Sequence, residues 1–177
     1  MSKKTSNTSV KYVLTGVKVI EEAAKLIGTR EIIGSKHNPV IIDWAKDLGL
    51  EKIYTNDEIP WCGLFVAYVV KQATFQPVKD PLWARNWNTF GTKQSVAMLG
   101  DILVFSRGTG GHVGFYIGED NTCYHVLGGN QNNTVNITRI TKSRCIGIRR
   151  CPWRVSQPAA VKVYNYNSNT KISKNES

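Results

Sequence analysis

Two residues of this 177-residue chain sit where nucleophilic chemistry would need them: a cysteine at the start of an apolar helical run and a histidine at the start of a β-prone run. Cys62 lies in Pro60-Trp61-Cys62-Gly63-Leu64-Phe65-Val66. In a first helical turn it would face unpaired backbone N–H groups and the positive end of the helix dipole, which favour thiolate over thiol, and its own N–H could hold an oxyanion. Packing as a small buried hydrophobe is the competing role for such a cysteine. His112 opens the strand His112-Val113-Gly114-Phe115-Tyr116-Ile117 directly after Gly108-Thr109-Gly110-Gly111. That puts an imidazole at a strand end beside a glycine loop, where one histidine can take the thiol proton and later give a proton to a leaving amine. His37 falls in a polar loop and His125 inside the next strand, settings of a solvated and a structural histidine respectively.

A third group should hold the imidazole in its productive tautomer. The strand after His112 ends in Leu127-Gly128-Gly129-Asn130-Gln131, and antiparallel pairing would return that end to the start of the His112 strand. Asn130 is the expected orienting residue, with Gly128 and Gly129 permitting close backbone approach or positive φ. Glu119 and His125 stand as alternatives for the same role.

The elements that must position these residues change period midway along the chain. Val17, Ile20, Ala23, Ala24 and Ile27 recur at helical spacing and stop at Gly28. Asn38-Pro39 reads as an N-cap followed by proline at the first helical position, with Val40, Ile41, Trp44, Ala45 and Leu48 as the apolar face. A third helix is expected over about 61–73, apolar almost all round. Ile102 to Phe105, His112 to Ile117, Thr122 to Leu127, Val135 to Ile140 and Cys145 to Arg149 then read as short strands parted by turn signals. Helices followed by consecutive strands define an α+β domain, N-terminal helices packed on an antiparallel β-meander of about five strands. The domain is expected at 12–155, with a disordered basic tail at 1–11 and a polar basic C-terminal tail at 156–177.

The net charge is +10, and over half of it lies in residues 1–11 and 152–177: Lys3, Lys4 and Lys11 without an acid, then Arg154, Lys162, Lys171 and Lys174 against Glu176. A basic surface favours polyanions, whether nucleic acid, anionic lipid or a phosphate- or carboxylate-bearing wall polymer. No helix-turn-helix, zinc-finger or RNP-like signature accompanies the charge, so specific nucleic-acid recognition is not expected. Cys62, Cys123, Cys145 and Cys151 form no C-x-x-C pair and have no histidine at zinc spacing, which excludes a zinc finger and leaves free thiols as the expectation. No apolar run approaches the roughly 18 to 20 residues of a membrane span, and the polar, lysine-bearing start does not read as a Sec-type signal peptide.

Four segments in order, Pro60 to Val66, Gly100-Asp101-Ile102-Leu103-Val104-Phe105, Gly111 to Tyr116 and Leu127 to Gln131, resemble the CHAP and NlpC-type cysteine peptidases and amidases of peptidoglycan. The likeness is closest to a phage- and prophage-associated subgroup, whose pattern extends to Glu31-Ile32-Ile33-Gly34 with Asn38-Pro39 and to Ala84-Arg85-Asn86-Trp87, covering roughly 20–150. The resemblance implies a papain-like fold with Cys62 as nucleophile, His112 as base and then acid, and Asn130 orienting the ring. It implies cleavage of an amide in the wall peptide, as an N-acetylmuramoyl-L-alanine amidase or a peptide endopeptidase, with no metal or organic cofactor. Asp57, Trp61, Trp87 and Gly111 would line the substrate groove. Typical members carry a small residue or Ser where Gly63 stands, and a more apolar strand than Cys123-Tyr124-His125 before Gly-Gly-Asn.

A monomeric wall hydrolase of this kind would meet peptidoglycan after holin release, virion delivery or dedicated secretion, with an immunity protein as partner in the case of a secreted effector. A catalytically silent wall-binding or nucleic-acid-binding module, and a cysteine protease acting on proteins, are the rival classes.

Overall fold

A computed structural model describes residues 15–34, 36–166, 171–174 and 176. The expected N-terminal tail, 1–11, lies outside the described residues. Three α-helices come first among the described residues: α1 (Lys18–Ala24), α2 (Pro39–Asp47) and α3 (Cys62–Gln72). Six strands follow, β1 (Thr92–Lys93), β2 (Ile102–Arg107), β3 (Gly110–Glu119), β4 (Cys123–Gly128), β5 (Asn136–Thr141) and β6 (Cys145–Arg150). The chain is therefore α+β with an antiparallel sheet.

Local chemistry sets the helix starts. Asn38 caps α2 through its side-chain oxygen, which accepts from the Val40 N–H, and Pro39 occupies the first turn where its missing N–H costs nothing. α3 begins at Trp61 with no side-chain cap, so the N–H groups of its first turn stay directed at whatever lies beyond Cys62. Nearly every residue of α3 is buried, as its all-round apolar sequence requires.

The sheet order is β1-β6-β2-β3-β4-β5, which corrects the simple meander expected from sequence. β2 to β5 do follow one another as hairpins, but β6 returns to the far side of β2 and separates it from the short β1. The continuous apolar run Ile102-Leu103-Val104-Phe105 fits a central strand buried on both faces. Ile102 and Val104 join the large cluster with the helices, and Leu103 and Phe105 join a smaller one with Tyr116, Val126 and Ile140. At the start of β2, buried Asp101 holds β6 through a two-pronged ion pair with Arg150 at 2.9 and 2.8 Å.

The stretch 156–177, expected as a tail, contributes to the fold wherever it is described. Residues 167–170, 175 and 177 lie outside the described residues. Val161 is buried, Lys162 accepts from the Leu99 N–H, and Asn165 forms a parallel bridge with Glu119 at the end of β3. Tyr166 lies against Gly118, where a side chain would leave its ring no room, and its ring meets that of His125. Ile172 bridges Arg139 on β5, and Glu176 is buried with its carboxylate forked onto Arg144 at 2.8 Å on both prongs. Low apolar content hid this packing, because it rests on backbone bridges, aromatic tips and one ion pair. No helix among the described residues is long and apolar enough to cross a membrane.

Candidate active site

Cys62 is the first residue of α3 and lies against β3, where the backbone of Val113, the residue after His112, is directed at its sulfur. Burial pushes the thiol upward, and the Arg107 charge and the backbone groups of Val113, Gly63 and Cys62 itself oppose that without overcoming it. The helix-terminus argument alone favours a thiolate; in this setting desolvation wins, and the resting group is a thiol.

His112 is fully buried, and burial pulls its imidazole down to about 4, opposed by the Glu176 charge and a hydrogen bond to Gln131. Its Nε2 lies 3.0 Å from Gln131 Oε1. The other face of the Gln131 amide fixes the meaning of that contact. Nε2 of Gln131 donates to the carbonyls of Val126 (3.2 Å) and Asn136 (2.7 Å) and to Asn136 Oδ1 (3.0 Å), so the atom facing the histidine is the carbonyl oxygen. An oxygen that can only accept requires His112 Nε2 to carry the proton. The lone pair then resides on Nδ1, which is buried and has no hydrogen-bond partner among the described residues. A neutral imidazole in this tautomer is a base awaiting a proton.

Asn130, the expected orienting residue, does not take that place. It sits in the turn after β4 with φ 54°, and its Oδ1 is buried without a partner among the described residues. With Asn130 in the left-handed region, the next side chain, Gln131, is the one delivered to the imidazole. Neither alternative serves: Glu119 binds Tyr116 and Lys142 at the far end of β3, and His125 binds Asp120 at 2.8 Å. On the hydrolase reading proposed below, Gln131→Leu should lower kcat roughly 10- to 100-fold with KM little changed, the scale of a lost positioning bond to an imidazole base; an unchanged kcat in steady-state assays of the variant would remove Gln131 from the site.

An open cleft of about 280 Å³ is lined by Cys62, Leu82, Trp83, Arg107, Gly110 and Gly111 among others. Of the four residues expected to line a groove, Gly111 does so. The other three are structural. Asp57 is fully buried, its carboxylate accepting from the N–H groups of Asn38 (2.8 Å) and Ile32 (3.0 Å) and meeting His37 at 3.0 Å. Burial would raise it, but those donors outweigh burial and hold it below the usual carboxylate range. Trp61 and Trp87 are wholly buried, donating to Glu31 and to the Pro81 carbonyl. The aromatic at the cleft is Trp83, 72% exposed, four residues before Trp87. Alternation of buried and exposed tryptophans in a short irregular segment leaves no periodic signal by which sequence could have told them apart.

Gly63 shows how tightly the cleft wall approaches the helix. A Cβ there would stand 2.3 Å from the Pro81 carbonyl oxygen and 2.8 Å from that of Leu82. Gly63→Ala should therefore push back the segment carrying Leu82 and cost about 1 to 3 kcal/mol, the usual range for overpacking; urea unfolding measures it, and a wild-type midpoint would show that the segment yields freely.

The four cysteines are unpaired, and no cluster of His, Cys, Asp or Glu suited to a metal ion occurs among the described residues. No protein-family model matches the chain, and no curated protein is significantly similar to it.

Proposed function

We propose that the chain is a cysteine hydrolase of the papain-like type that cleaves an amide bond in the peptide of bacterial peptidoglycan. The observation that carries this reading is the contact of His112 Nε2 with Gln131 Oε1. A glutamine clamped by three acceptors holds Nε2 protonated, leaving Nδ1 as a free base on the strand whose next residue abuts a cysteine at a helix N-terminus. The four sequence segments that resemble CHAP and NlpC-type enzymes supply the substrate class.

In the proposed mechanism both groups start neutral. As the Cys62 sulfur attacks the substrate carbonyl, its proton passes to His112 Nδ1, and the imidazolium is stabilised by Gln131 Oε1 and the negative field of Glu176. The carbonyl oxygen, now an anion, is held by N–H groups at the start of α3. His112 then protonates the amine as the carbon–nitrogen bond breaks, leaving a thioester on Cys62. Water attacks the thioester with His112 taking its proton, the acid is released, and the proton returns to the sulfur.

Digestion of purified sacculi by the wild-type protein and by Cys62→Ala, with the soluble fragments identified by mass spectrometry, tests this. New ends produced only by wild type are the expected result, an alanine amine marking amidase action and an internal peptide end marking endopeptidase action. Sacculi left intact by wild type under reducing conditions across several wall chemistries would overturn the reading in favour of a protein substrate or a binding role.

A further inference from the structure

We propose that Arg107 is a subsite for a free carboxylate on the bound peptide, so that the cleft selects wall peptides whose glutamate α-carboxylate is unmodified over those in which it is amidated. The inference rests on the wall-peptide reading and adds to it which peptides are taken.

Arg107 ends β2 and lines the same cleft as Cys62. The other arginines of the strands and of the turn before β6 are engaged. Arg144 forks onto Glu176, Arg150 onto Asp101, Arg139 meets Asp120, and Arg149 donates to the carbonyls of Phe90 and Gly91. Arg85 donates to the Gly110 carbonyl. Arg107 differs: its Nη1 is buried with no hydrogen-bond partner, and the residue makes no ion pair among the described residues. A desolvated guanidinium N–H with nothing to donate to is costly unless something arrives to meet it. The rest of the cleft is apolar apart from the Cys62 sulfur and glycine backbone, so Arg107 is its single charged lining group.

The chemistry of a guanidinium selects a planar two-oxygen anion, bound by parallel N–H bonds. In a wall peptide joined through the side-chain carboxyl of glutamate, the α-carboxylate is such a group, close in sequence to the amides on either side. Amidation replaces one oxygen by an N–H donor, which a guanidinium, having no acceptor, cannot receive.

The test uses Cys62→Ala protein, which binds without turnover, titrated calorimetrically with MurNAc-L-Ala-γ-D-Glu-L-Lys and with the same compound bearing an α-amide. The acid should bind about 10- to 100-fold more tightly, as expected for a hydrogen bond to a charged group. Arg107→Met in the same background should bring the acid down to the affinity of the amide and leave the amide unaffected, and Arg107→Lys should restore part of the difference. Equal binding of acid and amide, no binding of either, or an Arg107→Met change that weakens both alike would overturn the subsite. Should Arg107→Met fail to fold, the acid-to-amide ratio in Cys62→Ala alone decides. Wild-type turnover separates the two ideas: selective binding without cleavage refutes the hydrolase and keeps the subsite, whereas cleavage without selectivity does the reverse.

Discussion

Cys62→Ala is expected to lower fragment release from sacculi by on the order of 10⁴-fold or more, the scale seen when the nucleophile of a covalent hydrolase is deleted. The loss should be accompanied by little change in stability. Cys62 is 97% buried but small, and its loss removes a single sulfur from the wall of the cleft. His112→Ala should cost nearly as much in rate, because a thiol held neutral by burial cannot attack without a base. The order of effects discriminates: nucleophile and base removal should be similar and non-additive, with Gln131→Leu far milder. Cys62→Ala protein with measurable single-turnover cleavage would exclude the covalent route, whatever else the protein does.

The second large effect is on acid stability. His112 titrates at about 4 in the folded chain against 6.5 as a free side chain, chiefly because of burial. The unfolded state therefore binds the extra proton first as pH falls. The folded state is fully favoured above pH 6.5 and loses stability progressively as pH drops towards 4, by about 3 kcal/mol in all. Urea unfolding between pH 8 and 4 measures this, and His112→Gln should flatten that segment of the curve. The carboxyls held low in the fold, Glu22, Asp57, Asp120 and Glu176, begin to lose their contribution only at the acid end of that window. The same titration predicts an acid limb of kcat/KM near pH 4. A limb near 6.5, with no stability loss above pH 5, would mean that His112 is solvated and that the neutral resting pair is wrong.

The three helices and five of the six strands are legible in the sequence, as are the positions of Cys62 at a helix start and His112 near a strand start, because each leaves a periodic or punctuating trace. Asn38-Pro39 opens α2 by local chemistry alone, and the change from helical to alternating spacing marks the α+β division. What escaped depends on geometry that spacing does not encode. β1 is two residues long and takes its identity from its partner β6, so no pattern announces it. The choice between Asn130 and Gln131 turns on a single left-handed residue, and both are amides in one loop. Asp57 was expected in the substrate groove with Trp61 and Trp87. It is instead a buried anchor for the segments at 32 and 38, a role visible only once those segments meet. The packing of 161–166, 172 and 176 leaves no apolar periodicity, because apart from Val161 it rests on backbone bridges, aromatic rings and an ion pair.

The place of β6 between β1 and β2 has a consequence for how the chain is made. β2 leaves the ribosome some forty residues before the strand that completes it, and pairings of such sequence separation form late and slowly. During that interval the β2–β5 hairpins can assemble while one edge of β2 stays bare. That edge belongs to a strand whose Ile102, Leu103, Val104 and Phe105 are all wholly buried in the finished fold. An uncovered apolar strand is a template for pairing with another chain. Nascent protein should therefore aggregate through β2 while Cys145–Arg150 is still to be made, and a chain ending before Cys145 should give a lower soluble yield than the full chain.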